Sequence, residues 1–270
     1  MSFPAVAAAF VRREFLEDVS YPLRVVSALA AAVVGLAFLT FFSDFVGAAI
    51  SARFGLPEGG FMAFALIGVS YHALLDTALR DLSGRIRQAQ HQGTLEALLA
   101  TRTPLRHVML ALPVYPMLRT CVRIAFFLSV GALFLGVPLQ VRGLLMAAAA
   151  FGAGIVVFGA IGLAFAGLTI VFQRTEPLIH AFNGACFFLG GVLLPWQELP
   201  PALKVVASFL PLTPALDAFR YAMLDGSDWS VVRPALLRLT LFAAVLVPLG
   251  IIVLRWSVRR ALRDGSLSRY

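Results

Sequence analysis

Charge is scarce in this chain. Only 13% of its 270 residues are charged, against about 25% in soluble domains. With 60% hydrophobic residues, an ordinary soluble fold is excluded, because it would expose large apolar patches and aggregate. Lysine is nearly missing, Lys204 being the only one. No GxxxxGK[ST] stretch occurs, so the chain lacks the loop that holds β- and γ-phosphates and is not expected to hydrolyse ATP itself. Cysteine is limited to Cys121 and Cys186. Both sit in apolar runs, which excludes a disulfide framework and a CxxC metal site. H-E-x-x-H and GxSxG are also missing. No catalytic, cofactor-binding or metal-ligating residue is therefore assigned.

What is present is a succession of long apolar runs. Mean hydropathy is +0.89, and the expected fold is an all-α integral membrane protein with six transmembrane helices, forming a single domain over 1–270. The expected spans are 25–46, 59–79, 118–137, 143–172, 177–194 and 234–255, each read against a hydrocarbon core of about 30 Å. The first run is too long for a cleavable signal and reads as a retained span. Ahead of it, 1–23 alternates Phe3, Val6, Phe10 and Phe15 with Arg12, Arg13, Glu14, Glu17 and Asp18. That pattern predicts an amphipathic interfacial helix. Pro113 and Pro116 interrupt the approach to the third span, so 108–118 reads as an interfacial lead-in. The fourth span carries Gly162 and Ala166 at small-xxx-small spacing, which favours close helix packing.

Net charge is +8, but the basic residues sit at the ends of apolar runs. Nucleic-acid binding needs a continuous basic face, and it is excluded as a partner class. The same residues report topology. With the N-terminus inside, fourteen lie on the inner side: Arg12, Arg13, Arg24, Arg80, Arg85, Arg87, Arg102, Arg106, Arg174, Arg255, Arg259, Arg260, Arg263 and Arg269. Only Arg53, Arg142, Lys204, Arg220 and Arg233 lie on the outer side. Both termini and the 80–107 loop are thus expected in the cytoplasm of a multi-pass cell inner-membrane protein. The 195–233 segment is expected to face out.

Two loops stand apart. In 80–107, Leu95, Leu98 and Leu99 form an apolar stripe at helical spacing, with Thr94 as cap and Glu96 in the first turn. Such a helix can dock in a groove of another protein or lie on lipid. In 195–233, Pro195, Pro200, Pro201, Pro211 and Pro214 divide two apolar pieces too short to cross. Those pieces read as short re-entrant or interfacial helices. Asp217, Arg220 and Tyr221 share a face of the second piece, as a polar gate contact or a local ion pair.

Within the spans, His72 and Asp76 lie four residues apart on one helix face. They are open to acid–base work, to a proton relay, or to simple pairing of Asp76 with Arg80, Arg119 or Arg123. The pairing is the reading favoured here. His180 and Asn183 read as helix–helix hydrogen bonders.

Taken together, these pieces resemble the ABC-2 family of ABC transporter permeases along nearly the whole chain. The resemblance rests on Gly93-Thr94-Leu95-Glu96-Ala97-Leu98-Leu99-Ala100-Thr101 followed by Pro104-Leu105. It rests also on Phe188-Leu189-Gly190-Gly191-Val192-Leu193-Leu194-Pro195, then Leu199-Pro200, then Leu210-Pro211-Leu212-Thr213-Pro214 with Asp217 and Arg220. Pro113 and Pro116 depart from the family's usually continuous third helix. The resemblance implies a homodimeric export permease paired with two copies of a separate ABC ATPase, which would hold the ATP and Mg. It implies that Thr94, Leu95, Glu96, Leu98 and Leu99, with Gln173, Arg174 and Glu176 in the next inner turn, couple to that ATPase. It implies an outer gate at Pro195, Pro200, Pro211, Pro214, Asp217 and Arg220. The expected cargo is amphiphilic, lipid-linked or drug-like. A secondary transporter, or a membrane enzyme built on His72 and Asp76, is the competing reading. The former would need more intramembrane carboxylates and often a repeat between halves.

Overall fold

Small residues set the core. The computed structural model describes residues 3–54, 60–91, 105–172, 174–226 and 228–264. Among these, all regular structure is helical. In chain order the helices are α1 (Phe3–Ser20), α2 (Pro22–Phe54), α3 (Gly60–His91), α4 (Leu105–Ala111), α5 (Val114–Phe134), α6 (Leu144–Val171), α7 (Glu176–Leu189), α8 (Pro201–Ser208), α9 (Leu212–Met223) and α10 (Trp229–Asp264). Short 3-10 turns precede α6 and α8.

Helix α6 has no charged residue. A helix apolar on every side is one that is buried, and α6 lies between α3, α9 and α10. Its glycines let backbones touch. A Cβ at Gly162 would stand 2.3 Å from the Ala78 carbonyl oxygen, and one at Gly250 of α10 would stand 2.5 Å from the Ala160 oxygen. Ala166, one turn from Gly162, is fully buried. Tyr71 completes this centre: its hydroxyl donates to the Ala150 carbonyl at 2.9 Å, and its ring meets Phe151 and Phe158 edge-on. Thr77 and Thr120 pair their hydroxyls at 2.9 Å and fasten α3 to α5.

Among the described residues, five helices are long and apolar enough to cross a membrane: Ala30–Phe54, Gly60–Gln88, Val114–Phe134, Val141–Val171 and Trp229–Ala261. The pair Pro201–Ser208 and Leu212–Met223, bent by 86°, is a possible sixth. Helix α5 begins at Val114, four residues ahead of the expected 118. Pro116 falls in its first turn, where a missing N–H removes no helical bond. The break before it is confined to 112–113. Helix α7 covers part of the run expected as 177–194, but it has only 14 residues, about 21 Å. It stops at Leu189 because Gly190 and Gly191 leave the helix, Gly191 with φ +86°.

Helix α1 turns two acids inward. Glu14 and Asp18 are buried, while Phe15, Leu16 and Val19 face outward. It packs on α4 and α5. Arg12, Arg13 and Glu17 are exposed beside those apolar side chains, so the outer face is mixed, while the two acids find partners inside the bundle.

Candidate functional site

Helix α3 carries three polar constellations along its length. At its start lies a latch centred on Arg220. This side chain projects from α9 into the bundle and is only 7% exposed. Its Nη1 donates to the Gly191 carbonyl at 2.6 Å. Its Nη2 donates to the carbonyls of Phe64 and Val192, both at 2.9 Å. The guanidinium carbon lies 3.4 Å from the centre of the Phe64 ring. One planar fork thus joins α9, the turn after α7, and the first turns of α3. Gly68 makes the room: a Cβ there would stand 2.0 Å from the Val192 oxygen. Asp217, a turn before Arg220, accepts from Trp196 Nε1 at 2.9 Å. The four expected gate prolines each mark a boundary. Pro195, Pro200 and Pro211 stand immediately before a helix or 3-10 turn, and Pro214 is buried in the first turn of α9.

Midway along α3 is a polar cleft. Asp76 Oδ1 accepts from Arg80 Nε at 2.5 Å and from Asn183 Nδ2 at 2.6 Å. His72 Nε2 lies 3.4 Å from the Asn183 carbonyl oxygen, with its ring edge-on to Phe187. These groups and Arg123 line a cleft of about 480 Å³ between α2, α3, α5 and α7. His72, Asp76, Arg80 and Arg123 therefore come together. Arg119 does not join them; it reaches Asp18 of α1 at 3.3 Å.

The third constellation lies toward the end of α3. Arg85 grips Glu14 with both terminal nitrogens, Nη2 to Oε2 at 2.8 Å. Burial raises the Glu14 carboxyl above the ordinary glutamate range, and the charge of Arg85 opposes the rise. Asp18 accepts from the Tyr115 hydroxyl at 2.7 Å. Arg87 pairs with Glu176 at the start of α7. Arg174 is exposed just before that helix. Of the other expected coupling residues, Thr94, Leu95, Glu96, Leu98, Leu99 and Gln173 lie outside the described residues.

Sequence reasoning missed Phe64, Gly68 and Trp196 as partners of the latch. It missed the Glu14–Arg85 and Asp18–Tyr115 contacts too. A signal existed for the acids. Glu14 and Asp18 share a face of a helix otherwise rich in apolar side chains, and arginines crowd the following spans.

Among the described residues, an apolar helical bundle of five or six candidate spans, with a buried latch at one end and ion-paired helices at the other, defines a multi-pass membrane protein. The family model described as ABC-2 type transporter matches residues 7–224, and the chain belongs to that family. The match runs from α1 through α9. No curated protein matches the chain. Members of this family are the transmembrane, transport part of ABC transporters and generally work with an ABC ATPase partner.

Proposed function

We propose that this chain is the permease subunit of an ATP-driven exporter. In this reading it sits in the cell inner membrane with both termini in the cytoplasm. Two copies associate with two copies of a separate ATPase and move an amphiphilic, lipid-linked or drug-like substrate outward. ATP and Mg belong to the partner. Six crossings are counted when α7 with its following turn, or the bent α8–α9 pair, completes the bundle.

The observation that carries this reading is the continuity of α3. Its 32 residues make a rod of about 48 Å. One end supplies the Phe64 carbonyl to Arg220. The other leads directly into the stretch containing Thr94, Leu95, Glu96, Leu98 and Leu99. The Arg87–Glu176 pair ties that end to the start of α7, just after Arg174. Force applied at either loop therefore meets the same rod, and a tilt of the rod moves the carbonyl that Arg220 holds. Rigid elements with two arrangements are the physical basis of such coupling. Asp76 is already bonded to Arg80 and Asn183, which gives a proton-carrier or acid–base reading little support.

Coexpression with the partner ATPase tests the proposal. Glu96→Arg and Leu98→Asp should each abolish coupled ATPase stimulation while leaving insertion and folding intact. Stimulation that survives both changes removes the 94–100 stretch as the docking element.

A further inference from the structure

The cleft between α2, α3, α5 and α7 contains an unbalanced charge. Arg80 and Arg123 line it together with one carboxylate, Asp76. Arg80 already holds that carboxylate through Nε. Among the described residues, no hydrogen bond or ion pair engages Arg123. Asp76 and Asp81 attract it from α3, and Arg119 repels it along its own helix. A cation without a bonded partner in a membrane-spanning helix is costly, and such residues mark sites where an anion is met.

Asn183 is 6% exposed and lines the cleft. Its Nδ2 donates to Asp76, which fixes the orientation of the amide. Its Oδ1 is closed off from the cleft and lies beside the His72 ring. Apart from Ser70 and His72, the remaining wall is apolar, with Gly35, Leu36 and Leu39 from α2 and Phe127 from α5.

We infer that this cleft binds the head of an anionic phospholipid-like amphiphile. Its phosphate meets Arg123, and its chain lies along α2. The cleft's size suits a headgroup with the first methylenes of a chain. Choline would bring a further positive charge toward Arg80 and Arg123. Free phosphate has the anion but no use for the apolar wall. This deepens the export reading above by naming a cargo chemistry and a place for it.

The test uses the purified full chain in detergent and native mass spectrometry. The probes are dioctanoyl phosphatidylglycerol, dioctanoyl phosphatidylcholine and inorganic phosphate. Phosphatidylglycerol should be retained and phosphatidylcholine should not. Arg123→Gln should weaken phosphatidylglycerol binding about tenfold, with Arg123→Lys falling between, because a charge-assisted bond is replaced by a neutral one. Gly35→Leu supplies an independent block. A Cβ at Gly35 meets open space, so the larger side chain fills the cleft without disturbing the packing around it. Arg263→Gln, on the exposed end of α10, should leave binding unchanged. Equal phosphatidylglycerol binding by the wild type, Arg123→Gln and Gly35→Leu overturns the inference. Displacement of the lipid by equimolar phosphate overturns the lipid assignment. Binding is read without ATP or ATPase, so its failure leaves the coupling test above standing, and failure of coupling leaves this one standing.

Discussion

Replacing Arg220 with methionine keeps most of its volume and removes its charge. Three hydrogen bonds disappear: those to Gly191, Phe64 and Val192. Bonds from a charged donor contribute about 1.5–3 kcal/mol each, and stacking on Phe64 adds about 1–2 kcal/mol. Against this stands the cost of holding a guanidinium away from water, several kcal/mol. Removing one partner of such a buried constellation typically costs about 3–5 kcal/mol, because the carbonyls stay buried and unpaired. At about 3 kcal/mol, local opening of the 190–200 turn becomes roughly 100-fold more frequent. Cys186 reports on that opening. It is fully buried in the last turn of α7, and its carbonyl accepts from Gly190 N–H at 2.9 Å. In a Cys121→Ala background, N-ethylmaleimide should label Cys186 slowly, and Arg220→Met should accelerate labelling by about that factor. Arg220→Lys should accelerate it too, since an ammonium cannot present the same planar fork to three carbonyls. Unchanged labelling in Arg220→Met would show that the guanidinium does not hold this turn closed.

Gly162→Val should strongly reduce the folded, monodisperse yield in detergent, because its Cβ has no room beside the Ala78 oxygen; a wild-type yield and melting profile would mean α3 and α6 are farther apart. Arg85→Glu should release α1 and expose it to protease, since it sets two carboxylates face to face in a partly buried site; combining it with Glu14→Arg should restore protection in part, and protection in the single variant would refute the contact. A cysteine replacing Ser227 should react from outside intact cells and one replacing Gln90 should not, with the reverse pattern overturning the topology.

Much of the bundle was legible in sequence, because a membrane span is read from its own hydropathy and needs no partner. The resemblance to ABC-2 permeases and the membrane class rest on such local signals. Asp76 and Arg80 were legible for the same reason, being four residues apart on one helix. The end of α7 was not. Val192, Leu193 and Leu194 continue the apolar run past Gly190 and Gly191, so hydropathy cannot see the helix stop. The latch was only half visible. Arg220 was marked as polar on an apolar segment, but its acceptors are backbone carbonyls, which carry no sequence identity. Gly68 was invisible too, since its role depends on a turn more than 120 residues downstream in the chain. The α1 contacts join residues 71 and 101 positions apart, and no local periodicity encodes such a pairing. Arg119 shows the consequence: it looked like a member of the His72–Asp76 group, and Asp18 claims it instead.

In the proposed ATP-driven permease, α3 carries motion between the 94–100 stretch and the Arg220 latch. Cys186 labelling in the reconstituted complex of the Cys121→Ala chain with its ATPase tests it directly. ATP should change the labelling rate severalfold, and Leu98→Asp should cancel that change. An ATPase-active complex in which ATP leaves the Cys186 rate unaltered would contradict it.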